Sequence, residues 1–258
     1  MSDLLLPNDP APFEIINPRA VAPLLLTADH AGIAVPAKLN GFDLPPEELR
    51  RHIGWDIGAG EVARLTAEKL KATAVLATYS RLLADPNRAL GEPACAPAVS
   101  DGTVIAANQN MTLEEFRRRG EAVYWPYHNA IDDQIARLRV AHAPPAVVAI
   151  HSFTPMLSKD GTPRPWHVGV MYSFDDRLGR HLIAALNKLN FVVGDNEPYS
   201  GMTLSYAQKR HGLAQMLPHA QIEIRQDLIG DAAGQEHWAT ILADVFTHSF
   251  ERISSWTN

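Results

Sequence analysis

The sequence predicts a single α/β domain with a mixed, largely parallel central sheet flanked by helices. Three observations carry that prediction. Short apolar runs alternate with amphipathic stretches along the chain, the pattern of helices packed on a parallel sheet. The runs are continuously apolar, as strands covered on both faces require. The 258 residues, 46% hydrophobic and 20% charged, suffice to bury a substantial core, so one domain is expected over 1–258, with two small domains as the alternative.

The apolar runs predict strands at 22–28 (APLLLTA), 73–79 (TAVLATY), 146–153 (AVVAIHSF), 166–172 (WHVGVMY), 190–195 (NFVVGD) and 220–225 (AQIEIR). Between them, 60–72 puts Val62, Leu65 and Leu70 on or near one stripe, and 175–190 repeats Leu178, Leu182, Leu186 and Leu189. A longer helical pattern over 111–140 opens on Thr112 with Glu115 three residues later, a capping box, and Pro126 is expected to kink or divide it. A last helix is expected from about 235 to 256. The proline-rich segments 86–98 and 154–165 read as long loops beside strand ends, where sites commonly lie.

Composition excludes several function classes. The net charge is −6 and the basic residues are scattered, so no nucleic-acid surface is expected. No apolar run approaches the roughly 20 residues that span a bilayer, and the N-terminus lacks a basic, apolar leader pattern. No membrane association and a cytoplasmic location follow as expectations. The single cysteine, Cys95, rules out an internal disulfide and a multi-thiolate metal site, and without a neighbouring His or Lys it reads as inert. A metal, if present, must be held by histidine and carboxylate.

In open α/β sheets ligands gather at the carboxyl ends of the strands. Those ends carry Asp29-His30, then Arg81, Asp85, Asn87 and Arg88, then His151-Ser152, and finally Glu223 and Arg225. Each has a plainer explanation. A histidine closing a strand is commonly a hydrogen-bonded rim residue, Glu223 between Ile222 and Ile224 suits a solvent-facing position, and Arg81 and Arg88 suit surface ion pairs with Asp85. Their coincidence at four strand ends favours a site. Two histidines and a carboxylate with a position left for water form a catalytic zinc set. A further carboxylate can move the water's proton, and arginine binds a carboxylate bidentately or steadies an oxyanion. The set describes a metal-dependent amidase for an anionic substrate. Ser152 lacks the Gly-x-Ser-x-Gly elbow of a serine hydrolase, and a metal-free binding protein for small anions is the rival of another class.

At these residues the sequence resembles the N-formylglutamate amidohydrolase family and, behind it, the zinc carboxypeptidase and aspartoacylase group. The markers are ADHAGIAVP (28–36), GWDIGAG (54–60), YSRLLADPNR (79–88), AIHSF (149–153), NEPYSG (196–201) and QIEIRQDL (221–228). The resemblance implies a phosphorylase/hydrolase-like fold related to the zinc carboxypeptidases, a zinc or other divalent ion, and a small anionic N-acyl amino acid as substrate. It implies metal ligation by His30 and His151, polarisation of the scissile carbonyl by Arg81, and a grip on a substrate carboxylate by Asn87 and Arg88. Glu223 becomes the general base, and Asn196 and Tyr199 line the pocket or, on the plainer reading, belong to a turn. Carboxypeptidases carry a ligand Glu three residues after the first His, where this chain has Ile33. Asp56, a short acidic residue in a Gly-flanked loop, is the expected third ligand; Asp29 and Glu61 are alternatives, and Asp56 also suits the cap of the helix after Gly58. His52, His128, His167 and His237 show no ligand pairing and read as structural.

Overall fold

The computed structural model describes residues 4–141, 145–157 and 161–253, with side chains to 249. In chain order the elements are β1 (Phe13–Ile16), β2 (Leu24–Ala28), α1 (Pro46–Leu49), α2 (Ala59–Leu70), β3 (Thr73–Ala77), the hairpin strands β4 (Val99–Ser100) and β5 (Thr103–Val104), α3 (Leu113–Arg119) and α4 (Trp125–Ala141). Then follow β6 (Ala146–Phe153), β7 (Val168–Met171), α5 (Arg177–Lys188), β8 (Val193–Asp195), α6 (Tyr206–His211), β9 (His219–Arg225) and α7 (Ala232–Ile253). The last residues of the expected final helix, 254–256, lie outside the described residues.

A seven-stranded sheet runs in the order β1-β3-β2-β6-β9-β7-β8. Its centre, β3-β2-β6-β9, is parallel, while β1 is antiparallel to β3 and β7 is antiparallel to β9. All six predicted strands are present, several of them shorter. β1 lies outside that set, because FEII is only four residues long in a proline-rich N-terminal segment.

Side-chain alternation along the strands builds two apolar layers. Leu24, Leu26 and Ala28 of β2, Val148 and Ile150 of β6, and Ile222 and Ile224 of β9 pack with α2, α5 and α7. Leu25, Val75 and Val147 face the other way, against Tyr127, Ile131, Ile135 and Leu138 of α4. This two-sided burial explains the continuous apolar runs. The same alternation turns His151 and Glu223 toward the α4 side, and the β6–β9 register makes them direct Cα partners. The plainer expectation for Glu223, a solvent-facing strand residue, is overturned: it is 4% exposed.

The α3–α4 region shows how the sequence handles Pro126. Thr112 and Glu115 form the expected capping box. Residues Gly120–Tyr124 then wind as a π-turn, with the Trp125 N–H bonding Gly120 O five residues back. Proline cannot donate to the carbonyl four residues earlier and its ring crowds it, and the wider turn relieves both demands. One outcome is that the Tyr124 hydroxyl donates to Arg88 O at 2.8 Å, steadying the turn after β3.

α6 is tied to α4 by a buried imidazole pair, His128 Nδ1 to His211 Nε2 at 2.7 Å, with His211 Nδ1 on Asp132 at 2.9 Å. Burial and then the neighbouring His211 push His128 down to about 3. The unfolded chain takes up a proton on this ring near the ordinary histidine value and the folded chain does not, so stability is full above about pH 6.5 and falls as pH drops toward 3. We expect the His128 contribution to be about 1.4 kcal/mol per pH unit in that window. Urea unfolding of wild type and His128→Gln from pH 7 to pH 4 checks it; equal pH slopes for the two proteins would exclude this contribution.

Candidate active site

The site assembles where β2, β3, β6 and β9 end. His30 follows β2, and its carbonyl accepts the Asp56 N–H at 3.0 Å, which sets the loop before α2 against the β2 end. That approach needs small residues. A Cβ on Gly32 would meet Thr78 O at 1.9 Å, and one on Gly58 would meet Ile229 O at 2.1 Å, at a positive φ of 77° that also favours glycine. The glycines flanking the two candidate ligands are thus packing requirements of the loops that carry them.

Asp56 does not use its side chain to cap α2. The N-cap position is Gly58, without a side-chain cap bond, and Asp56 receives the Ala59 N–H on its backbone carbonyl. Its carboxylate instead lies between the two histidines: Oδ2 is 3.1 Å from His30 Nδ1 and 2.8 Å from His151 Nδ1. The opposite nitrogens meet other carboxylates, His30 Nε2 at 2.7 Å from Asp85 Oδ1 and His151 Nε2 at 2.9 Å from Asp29 Oδ2. Asp29 Oδ1 in turn accepts the Tyr127 hydroxyl at 2.7 Å. Of the three carboxylates considered as a third ligand, Asp29 sits behind His151, and Glu61 is exposed on α2 beside Arg64 at 3.3 Å. Asp56 alone groups with His30 and His151, each offering one atom within 4.8 Å of the others.

Arg81 completes the charge pattern. Nε and Nη2 donate to Asp85 Oδ2 at 3.2 and 2.8 Å, and Nη1 donates to Asp56 Oδ1 at 3.3 Å. Among the described residues, three of its five N–H groups are engaged and two remain. Burial opposes ionisation of Asp56, but the charges and hydrogen bonds of His30 and His151 outweigh it and hold the carboxyl well below the usual range. Asp85 is lowered for the same kind of reason, burial being overcome by Arg81 and His30. Burial also works against a charged His151, yet its bonds to Asp29 and Asp56 raise it well above the ordinary imidazole. Glu223 moves the other way: burial, reinforced by the Asp56 charge, raises it.

A cavity of about 130 Å³ opens beside these groups. The structure brings His30, Asp56, Arg81, Asn87, Arg88, His151, Tyr199 and Glu223 to its wall. Asn196 is placed elsewhere, its side-chain oxygen accepting the Tyr172 and Gly201 N–H groups at 3.0 and 3.1 Å, so it shapes the turn leading to Tyr199. Asn87 Oδ1 holds the Ala207 N–H at the start of α6. His52, read from sequence as structural, also lines the cavity; its partner Asp101, 3.5 Å away, is distant in sequence and gives no local signal. Gln221 was missed as well, although it stands two residues before Glu223 on the same strand face. It donates to Glu223 Oε1 at 2.6 Å and accepts the Ser205 hydroxyl at 2.5 Å.

The model of the N-formylglutamate amidohydrolase family matches residues 22–230, which include every cavity residue named above. The chain belongs to the N-formylglutamate amidohydrolase family. It is therefore a hydrolase of the amidohydrolase type. The crystal structure of gene product Atu2144 from Agrobacterium tumefaciens superposes with a TM-score of 0.92 at 30% identity, covering 97% of this chain and 99% of that one. The N-formylglutamate amidohydrolase from Ralstonia eutropha JMP134 shares the fold, with a TM-score of 0.67 at 22% identity over 94% of this chain and 99% of that one. No curated protein matches in sequence.

In this family member the donor set fits a divalent cation. Two imidazole nitrogens and a carboxylate oxygen converge, and each imidazole has a carboxylate on its far nitrogen, the arrangement that fixes ring orientation in zinc sites. Glu223 stands beside His151 on the neighbouring strand and lines the same cavity.

Proposed function

We propose that this chain hydrolyses the N-acyl amide of an acidic amino acid, N-formylglutamate foremost, with zinc or another divalent cation held by His30, His151 and Asp56. The observation that carries the reading is the pairing of His151 with Glu223 across β6 and β9, in one cavity with Asp56 and two arginines. When bound there, a divalent cation would supply Lewis acidity, which lowers the pKa of water and polarises a carbonyl. Glu223, steadied by Gln221, takes the proton of the attacking water and returns it to the departing amine. The two remaining N–H groups of Arg81 meet charge developing on the acyl oxygen. Among the described residues the Arg88 side chain makes one hydrogen bond, from Nη1 to Asn87 O, so most of its planar fork is available to a substrate carboxylate.

Purified protein should contain about one divalent ion per chain and release formate from N-formylglutamate faster than acetate from N-acetylglutamate; the opposite preference would overturn the choice of acyl group. Arg88→Ala should raise KM about 10- to 100-fold with little change in kcat, because the contact serves ground state and transition state alike. A fall in kcat at constant KM would place Arg88 at the reacting atoms instead.

One observation favours a second reading, a metal-free anion-binding protein: the carboxylates of Asp29, Asp56 and Asp85 can neutralise protonated His30, protonated His151 and Arg81 without any ion. It predicts metal-free purified protein and unimpaired ligand binding after His30→Ala.

A further inference from the structure

Tyr199 is held in an unusual way. Arg164, on the loop after β6, donates from Nη1 to the Tyr199 hydroxyl oxygen at 3.0 Å, and its guanidinium carbon lies 5.0 Å from the centre of the same ring. Arg164 is itself fixed, donating to Thr154 O at 3.2 Å and packing 5.9 Å from the centre of the Phe153 ring. Arg225 at the end of β9 donates to the carbonyls of Arg164 and Trp166, which pins this loop to the sheet. A phenol oxygen that accepts from a cation keeps its own O–H for another partner, and polarisation by the cation makes that O–H a stronger donor.

That O–H has no acceptor among the described residues, and Tyr199 lines the cavity. Its electrostatic neighbours are Glu223, Asp56 and Arg81, the groups of the reacting end. Burial, with the Glu223 charge, raises the phenol, so it remains protonated and able to donate through the neutral range. Arg81, meanwhile, has most of its fork committed to Asp85 and Asp56.

We infer that Tyr199 is a catalytic residue donating its O–H to the acyl oxygen as negative charge develops there, and that Arg164 is the positioning residue that aims and polarises it. The inference rests on the hydrolase reading above and adds a second oxyanion donor beside Arg81. Such a donor acts mainly in the transition state, so its loss lowers kcat rather than raising KM.

The test is a double-mutant cycle on the metal-loaded enzyme, assayed over a panel of N-formyl and N-acetyl amino acids. Tyr199→Phe should lower kcat about 100-fold with KM changed less than about threefold. Arg164→Gln should lower kcat about 10-fold, Arg164→Lys should recover part of that loss, and Arg164→Gln should have no further effect once Tyr199 is Phe. Metal content and Tm of each variant separate this from misfolding. A Tyr199→Phe enzyme with wild-type kcat and a raised KM overturns the inference and leaves the hydrolase reading intact, and so does an Arg164→Gln effect of equal size in both backgrounds. A correctly folded wild type that cleaves no member of the panel overturns both.

Discussion

Glu223→Gln should lower kcat by about two to four orders of magnitude while leaving metal content and fold in place. The expectation follows from where Glu223 sits and what holds it. Its strand alternates so that Ile222 and Ile224 enter the apolar core beneath α7, which forces residue 223 to the opposite face, level with His151. A buried carboxylate in that position is costly unless it has a purpose or a partner. Among the described residues its side chain has one hydrogen bond, from Gln221 Nε2 to Oε1, and the carboxylate otherwise lines the cavity. Glutamine preserves shape and volume but cannot take a proton, so the substitution isolates proton transfer from packing. Burial raises the Glu223 carboxyl, which matches a group that must both accept a proton from water and give one to an amine. Steady-state kinetics on N-formylglutamate, with metal analysis of the same preparation, decides it. Turnover within about threefold of wild type would remove Glu223 as the base and leave His52 as a cavity imidazole without a role.

Much of this arrangement was legible in the sequence, and the reasons are specific. His30, His151 and Glu223 each lie at or near the carboxyl end of an apolar run, so the rule that α/β sites form at strand ends finds them without any knowledge of tertiary contacts. Asp56 was harder. A short acidic residue before a helix has the composition of a cap, and only the fold shows its carboxylate between two histidines while Gly58 occupies the cap position. Asp85 was visible as a partner for Arg81, but as half of a surface pair. It is buried, and its second oxygen orients His30. Arg164 and His52 had no sequence signal, because the first acts through Tyr199, 35 positions later, and the second lines the cavity with a partner, Asp101, in a hairpin far along the chain. The antiparallel placement of β7 was equally hidden, since a four-residue apolar strand reads the same in either direction.

The charge pattern around Asp56 leads to the second large expectation: Asp56→Asn should weaken metal binding by at least about 100-fold and lower the stability of the metal-free protein by about 3–5 kcal/mol. The Asp56 carboxylate lies within hydrogen-bonding distance of His30, His151 and Arg81 at once, all at least three-quarters withdrawn from solvent. An amide of the same shape removes the negative charge but leaves those three groups buried, and one lost partner of a buried ionic cluster is a large effect. For a chain of this size the loss corresponds to a Tm lower by about 10 °C. Asp29→Asn supplies the control. Among the three candidate ligands it touches only His151, at the far nitrogen, so it should weaken metal binding less, by about 10- to 100-fold, through the orientation of that ring. If Asp56 were merely a helix cap, its loss would cost about 1 kcal/mol and leave metal affinity untouched. Metal titration of the three proteins by calorimetry, beside their thermal unfolding without metal, separates the possibilities. A larger loss of affinity in Asp29→Asn than in Asp56→Asn would move the third ligand to Asp29, and with it the direction from which His151 presents its nitrogen to the ion.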